Sequence, residues 1–485
     1  MITTTRITVQ SVKARMARLR RPGMVAANAA LLLTVAGVGT AAGHPVTQRA
    51  AAARACTSTR TAGATRIGRF AGIVRPVRLS AACSAVIGDP HTSGGTPPLI
   101  NHGGPMMSTP ATADKVVVTP IYWAGAGYSF PAAYKTLLNQ YLRDSATDSE
   151  KVTNVFSTLF EYGGSNGKIN YRFQLATPIS DSTAFPAAGC TTSPGPVYAD
   201  NSGYTTCLDD AQVQSETNAV LAARGLTRNL GHMYIMFLPK HVESCFFAGN
   251  PSNQACTINA TPSAAYCAYH SEFGGNTVYA NMPFPIYQSA TLFSCTDENL
   301  GGPTSTIQSP NGSVDADVEV SPLSHEMSES ITDPDTNTGW YDSSGFENGD
   351  ECAYIYGTLS GSNGGFYNQT INGHHYLTQD EFSNADFAKT GGGCLQHFQP
   401  VKPTVTGLSS HAGSHTGGAT VTIRGTGFAG ATTVHFGTTV ATFTLIDSTK
   451  IRVITPAHAA GTVDVTVQTS AGTSTVISAD HYTFS

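Results

Sequence analysis

The sequence predicts two folded parts: an α/β or α+β main domain and a C-terminal all-β, immunoglobulin-like sandwich. Helical and strand-like segments alternate over 114–398, which favours one mixed domain. All ten cysteines lie in residues 56–394, and none falls in 404–485. After Pro400-Val-Lys-Pro403 the composition changes to short Val/Thr-alternating runs separated by Gly-rich turns, the pattern of an antiparallel sandwich. The 485-residue length accommodates two or three such units.

Along the chain, Arg15, Arg18, Arg20 and Arg21 precede a short apolar run from Met24 and a small-residue zone before His44-Pro45. That order predicts a secretory signal over 1–43 and a secreted protein with no membrane span after processing. Residues 44–113 are Ala-, Arg-, Gly- and Pro-rich and read as a flexible leader or pro-segment whose last part is an extended arm. Ten cysteines in an exported chain suggest disulfides, and Cys190 with Cys207 and Cys352 with Cys394 would close local loops. Val116–Trp123 reads as a buried strand, and Ser129-Phe-Pro131 as the start of a helix over Ala132–Asp144. Lys168–Ala176 is strand-like. A helix is expected over Asp209–Arg224 with Gly225 as its stop, and a central strand over His232–Leu238.

Charge excludes one class of partner. Residues 1–88 contain 13 basic residues and no acid, which leaves 14 basic against 32 acidic residues in the body. So acidic a body lacks the positive surface that phosphate backbones need, and nucleic-acid binding is excluded on that ground.

The stretch with chemistry is Ser321-Pro-Leu-Ser-His325-Glu326-Met-Ser-Glu329-Ser-Ile-Thr-Asp333-Pro334. Ser321 and Pro322 suit an N-cap and first turn, and Pro334 disfavours helix at Asp333. His325 and Glu329 are then one turn apart on one face, so both can reach one divalent ion. Glu326 sits where a zincin helix holds the carboxylate that takes a proton from water, which makes it the candidate catalytic residue. The sequence has His-Glu-x-x-Glu rather than His-Glu-x-x-His, so the metalloprotease signature is incomplete. The same residues also suit a capped helix with solvated acids, or a buried histidine satisfied by Glu329.

Further on stand Trp340-Tyr341, Glu347-x-x-Asp350-x-Cys352 and Tyr356-Gly357. With the helix, these residues resemble the EXORDIUM, or phosphate-induced protein, family of plants and its bacterial relatives, most clearly over 315–382. The resemblance implies an extracellular, wall-associated protein with a zincin-like helix, and implies no settled reaction. A zinc site needs a third ligand, for which Asp350 is the choice, Glu347 the competitor and Asp333 a weaker one. Over 403–485, Gly417-Gly418, Thr420-Val-Thr-Ile-Arg-Gly425, Gly427-Phe428, Val434-His-Phe436-Gly437 and Thr455-Pro456 resemble an IPT/TIG domain, with Ser410 in place of a frequent proline.

Other patterns carry less. Asp333-Pro-Asp335-Thr-Asn337-Thr-Gly339 spaces oxygen ligands as a calcium loop does, so calcium is the alternative metal, and an Asx-rich turn the simpler reading. Gly163-x-Ser165-x-Gly167 lies between helix and strand, the wrong context for a hydrolase serine. His374 and His375 point to opposite sides of any strand. His270 and Glu272 could line a cleft or merely belong to a disulfide-anchored strand. The expected function is a zinc-dependent hydrolase, a peptidase in the first instance, using His325, Glu329, Asp350 and Glu326 on an extracellular peptide. The alternative is a non-catalytic protein that binds cell-wall or carbohydrate ligands.

Overall fold

The computed structural model describes residues 71–74, 77–78 and 96–485, apart from 113, 194, 199, 247–254, 258–265, 287–292, 296–308, 337 and 362–364. The expected signal, most of the leader, Cys56 and Cys83 lie outside the described residues. The main domain is built from β1 (Ala71–Val74), β2 (Val116–Trp123), α1 (Ala132–Thr147), β3 (Phe173–Leu175) and β4 (Ile179–Asp181). It continues with α2 (Asp210–Arg224), β5 (His232–Phe237), β6 (Ala268–Phe273), β7 (Thr277–Met282) and α3 (Val314–Thr332). Its sheet has the order β1-β6-β7-β5-β2-β3, with β4 also on β2. β5 runs parallel to both β2 and β7, β2 is parallel to β3 and β4, and β6 is antiparallel to β7. The strand β1, from the segment expected as a leader, completes the outer edge, antiparallel to β6, with Ala71 opposite His270.

The central strands read as near-continuous apolar runs because both faces are covered. Val116, Val118 and Tyr122 of β2 and Met233, Ile235 and Phe237 of β5 share a core with Tyr134 and Leu138 of α1 and Leu323 and Met327 of α3. The alternate residues Ile121, Trp123, Tyr234 and Met236 pack with Val213 and Leu221 of α2. Strand alternation thus sorts side chains into two helix-covered layers. β6 follows the same rule: Ala268 belongs to the α1/α3 layer and Tyr269 to the α2 layer, which puts His270 on the α3 side.

Local signals explain the helix ends, with corrections. In α2, Asp209 and Gln212 form a reciprocal capping box, and Gly225 ends the helix at φ 60°. α1 begins behind Pro131, which takes the N-cap position expected of Ser129. α3 begins at Val314, seven residues before the expected cap Ser321, so Pro322 lies inside the helix. Tertiary packing overrides the proline: Val318, Val320, Leu323, Met327 and Ile331 are all buried. The helix ends at Thr332, before Asp333-Pro334. Lys168–Ala176 is not one strand. Gly163–Gly164 and Gly167–Lys168 form a tight hairpin around Ser165, and the chain turns at Tyr171 (φ 47°) before β3.

Residues 96–112, expected as an arm, pack against the end of α3 and the segment that follows it. Leu99, Met106 and Met107 are buried, the His102 N–H donates to Gly339 O (2.9 Å) and the Met107 N–H to Ile331 O (3.1 Å). Four disulfides are described: Cys190–Cys207, Cys245–Cys256, Cys267–Cys295 and Cys352–Cys394. No helix among the described residues is long and apolar enough to cross a membrane.

The C-terminal part is a two-sheet sandwich. One sheet orders Thr404–Leu408, Thr420–Thr426, Lys450–Ile454 and Phe443–Asp447; the other is centred on Gly461–Thr469, flanked by Thr433–Phe436 and His481–Phe484. Val421, Ile423, Val434, Phe436, Val453, Val465 and Tyr482 fill its interior. Arg172 fastens it to the main domain: its guanidinium pairs with Asp114 and Glu150 and donates to Leu445 O at 2.5 Å.

Candidate metal centre

Three elements converge on one buried spot. α3 supplies His325 and Glu329 on one face and Glu326 beside them; β6 supplies His270; the turn Asp350–Cys352 and its approach supply Glu347 and Asp350. All six side chains are at most 1 % exposed. His325 Nε2 lies 3.1 Å from Glu329 Oε1 and 3.5 Å from Asp350 Oδ1. His270 Nδ1 lies 3.2 Å from Glu326 Oε2 and 3.7 Å from Glu329 Oε2, and its Nε2 is 3.9 Å from Glu347 Oε2. The structure therefore brings His325, Glu329 and Asp350 together, their donor atoms within 4.8 Å of one another, and places Glu326 against His270.

The backbone around Asp350 holds this geometry. The Asp350 N–H donates to Glu329 Oε1 (2.9 Å), and the Glu347 N–H donates to Asp350 Oδ2 (3.0 Å). Gly349 admits the close approach: a Cβ there would lie 2.8 Å from His325 Nδ1 and 3.0 Å from Glu329 Oε1. Gln379 ties the turn to α3, its side-chain amide donating to Gly349 O (2.7 Å) and its N–H to Ser321 Oγ (3.0 Å). The Cys352–Cys394 disulfide anchors the far end.

Electrostatics follow from burial. Desolvation, reinforced by Asp350 and opposed by His325, pushes the Glu329 carboxyl up to about 7. Burial pulls the His325 imidazole down, but Glu329 and Asp350 pull it up more strongly, to well above the usual histidine range. Burial, with Asp342 and Asp350 nearby, raises Glu351 to about 9. An imidazole and two carboxylate oxygens packed this closely, under a glycine that leaves no room for a side chain, form a donor set that fits a divalent ion such as zinc.

The other expected residues lie apart from this centre. Asp333 Oδ1 accepts from the Thr338 and Gly339 N–H groups (3.2 and 2.6 Å), closing the loop that follows α3, and Asp335 is exposed. His374 Nδ1 contacts Asp144 Oδ2 at 2.7 Å, while His375 stacks on Tyr367. The cysteine groups are disulfides rather than thiolate ligands. His270 is the residue that sequence reasoning left unassigned. Its signal was strand parity in Ala268-Tyr-His-Ser-Glu-Phe273, which sets it on the face opposite Tyr269, but parity does not say which face meets α3.

Residues 403–485 match the family model of the IPT/TIG domain. The C-terminal module is an IPT/TIG domain. Outside this IPT/TIG module, the EXORDIUM resemblance over 315–382 has no family-model match. No curated protein matches the sequence. Solved structures with partial likeness include the gamma-CGTase of Alkalophilic bacillus clarkii, at 18% identity and TM-score 0.16, with 29% of this chain and 18% of that chain covered. The full extracellular region of plexin A4 gives 20%, 0.17, 23% and 10% in the same order. SGBP-B from a xyloglucan utilization locus in Bacteroides uniformis gives 16%, 0.16, 22% and 26%. This chain thus spans about a quarter or less of the length of each, and likeness at such TM-scores carries no functional argument.

Proposed function

We propose that this is a secreted, metal-centred binding protein. Its main domain would hold zinc through His325, Glu329 and Asp350, and the IPT/TIG domain would be its second extracellular module. The observation that supports this most is the burial of the whole donor set. Carboxylates removed from water are costly unless paired or bound to metal, and a coordination shell closed to solvent suits a structural ion better than a catalytic one. Four disulfides are compatible with an oxidising, extracellular setting. The ligand class, a wall or carbohydrate component, follows from the EXORDIUM resemblance.

Metal content by plasma mass spectrometry, on the oxidatively folded chain beside His325→Ala, tests this. At least one equivalent of zinc in the parent, diminished in the variant, is the expected result. Calcium unchanged by the substitution would move the metal to the Asp333–Gly339 loop. No metal after reconstitution would end the reading.

One observation favours a second reading, a zincin-like hydrolase acting on peptides. The strand β1, which processing could remove, pairs with the edge of β6 that carries His270 and lies beside α3, next to the centre. Zinc would then supply polarisation of a substrate carbonyl, and Glu326 would accept a proton from water. Activity on a mixed peptide library, appearing after the leader is cut and lost in Glu326→Gln with zinc retained, would establish this reading. A cut, zinc-loaded chain without activity would leave the binding protein.

A further inference from the structure

We propose that the centre holds two divalent cations bridged by Glu329, the second one bound by His270, Glu326 and Glu329. This rests on the metal-centred reading above and adds a site to it. The donor atoms fall into two groups, each within 4.8 Å of one another: His325, Glu329 and Asp350, and His270, Glu326 and Glu329. The groups share one residue. Its two oxygens point different ways: Oε1 faces His325 at 3.1 Å, and Oε2 faces His270 at 3.7 Å. One carboxylate offering an oxygen to each of two sites is the arrangement of a bridged pair, whose ions stand about 3.5–4 Å apart.

Each group has one imidazole nitrogen and carboxylate oxygens, a set that suits zinc or manganese. The contacts of His270 on its other side fit the same assignment. Its Nδ1 faces Glu326 and Glu329, while its Nε2 lies 3.9 Å from Glu347 Oε2, so Glu347 can orient the ring from behind as carboxylates do for metal-bound histidines. Two divalent ions also match in charge the four carboxylates Glu326, Glu329, Glu347 and Asp350 in a dry interior. Glu326 then acts as a ligand, and Glu347 as a positioning residue.

The test uses the full, oxidatively folded chain, stripped by chelation and titrated with Mn²⁺ under electron paramagnetic resonance, with zinc counted in parallel by plasma mass spectrometry. The expected result is two equivalents per chain and a spin-coupled manganese signal. His270→Ala should leave one equivalent with an uncoupled signal. Glu347→Gln, chosen in case the histidine variant does not fold, should weaken one of the two ions about tenfold to a hundredfold and spare the other. One uncoupled equivalent in the parent, lost only with His325→Ala, would overturn the pair and leave the single site standing. No binding of either metal would overturn both readings. A Glu347→Gln variant that shifts both ions equally, or neither, would also count against the bridged pair.

Discussion

Gly349 touches the metal centre without contributing a side chain, and that makes it the sharpest probe of the site. A methyl group there must displace His325 or Glu329, neither of which has free space, so Gly349→Ala is expected to destabilise by about 1–3 kcal/mol and weaken metal binding. Melting temperature and zinc titration on the same sample check both effects. Glu319, two turns before the site on α3, makes a separate prediction. Burial, with Asp315 nearby, holds its carboxyl protonated well above its usual range, and its Oε1 accepts no hydrogen bond. A raised folded-state pKa binds protons that the unfolded chain releases near 4.5, so stability is greatest below that pH and declines as pH rises toward the folded value. The chelated protein should therefore melt at a lower temperature at pH 8 than at pH 5, with a shallower slope in Glu319→Gln. At this scale the sequence was informative where a spacing rule applied: His325 and Glu329 share a helix face because they are one turn apart. Asp350 came from the EXORDIUM likeness, and the structure places it beside them. His270 is 56 residues from Glu326 in sequence, and no local rule joins the two.

Elements were legible where their ends are marked. The Asp209/Gln212 box and Gly225 delimit α2 because each satisfies backbone groups that the helix leaves over. α3 was misjudged at its start for the opposite reason. Val314-Asp-Ala-Asp-Val-Glu-Val320 alternates apolar and acidic residues without a helical period, and Pro322 imitates a first turn. What makes the segment helical is burial between α1 and strands β6 and β7, which no local pattern displays. The turn carrying Asp350 depends on a covalent element. Cys352–Cys394 closes 42 residues, for which chain entropy predicts about 4 kcal/mol of stabilisation. A Cys352→Ser/Cys394→Ser chain should unfold at a correspondingly lower denaturant concentration. It should also lose zinc more readily than a Cys190→Ser/Cys207→Ser chain, whose disulfide lies away from the ligands. Equal zinc retention in the two would detach the disulfide from the site.

For the whole molecule, composition separated the cysteine-bearing main domain from the cysteine-free IPT/TIG domain, and the strands of the latter fall where Val/Thr alternation put them. The leader was harder to read. Ala71-Gly-Ile-Val74 is too short to announce a strand, and it becomes one only because β6 offers a row of backbone groups to pair with. That pairing makes the edge of β6 conditional on the chain remaining intact between the leader and the body. A cut in 79–95 would turn an intramolecular strand into a tethered or departing peptide and leave β6 as a bare ladder, ready to accept any extended chain of matching length. Hydrogen exchange at the amides of Ala268–Phe273 should then speed up, and a synthetic Ala71–Arg78 peptide should slow it again. Unchanged exchange after the cut would mean that the strand stays docked. A free edge, by contrast, would give this molecule a state that exists only after proteolysis, with an opening beside its buried cluster of histidines and carboxyls.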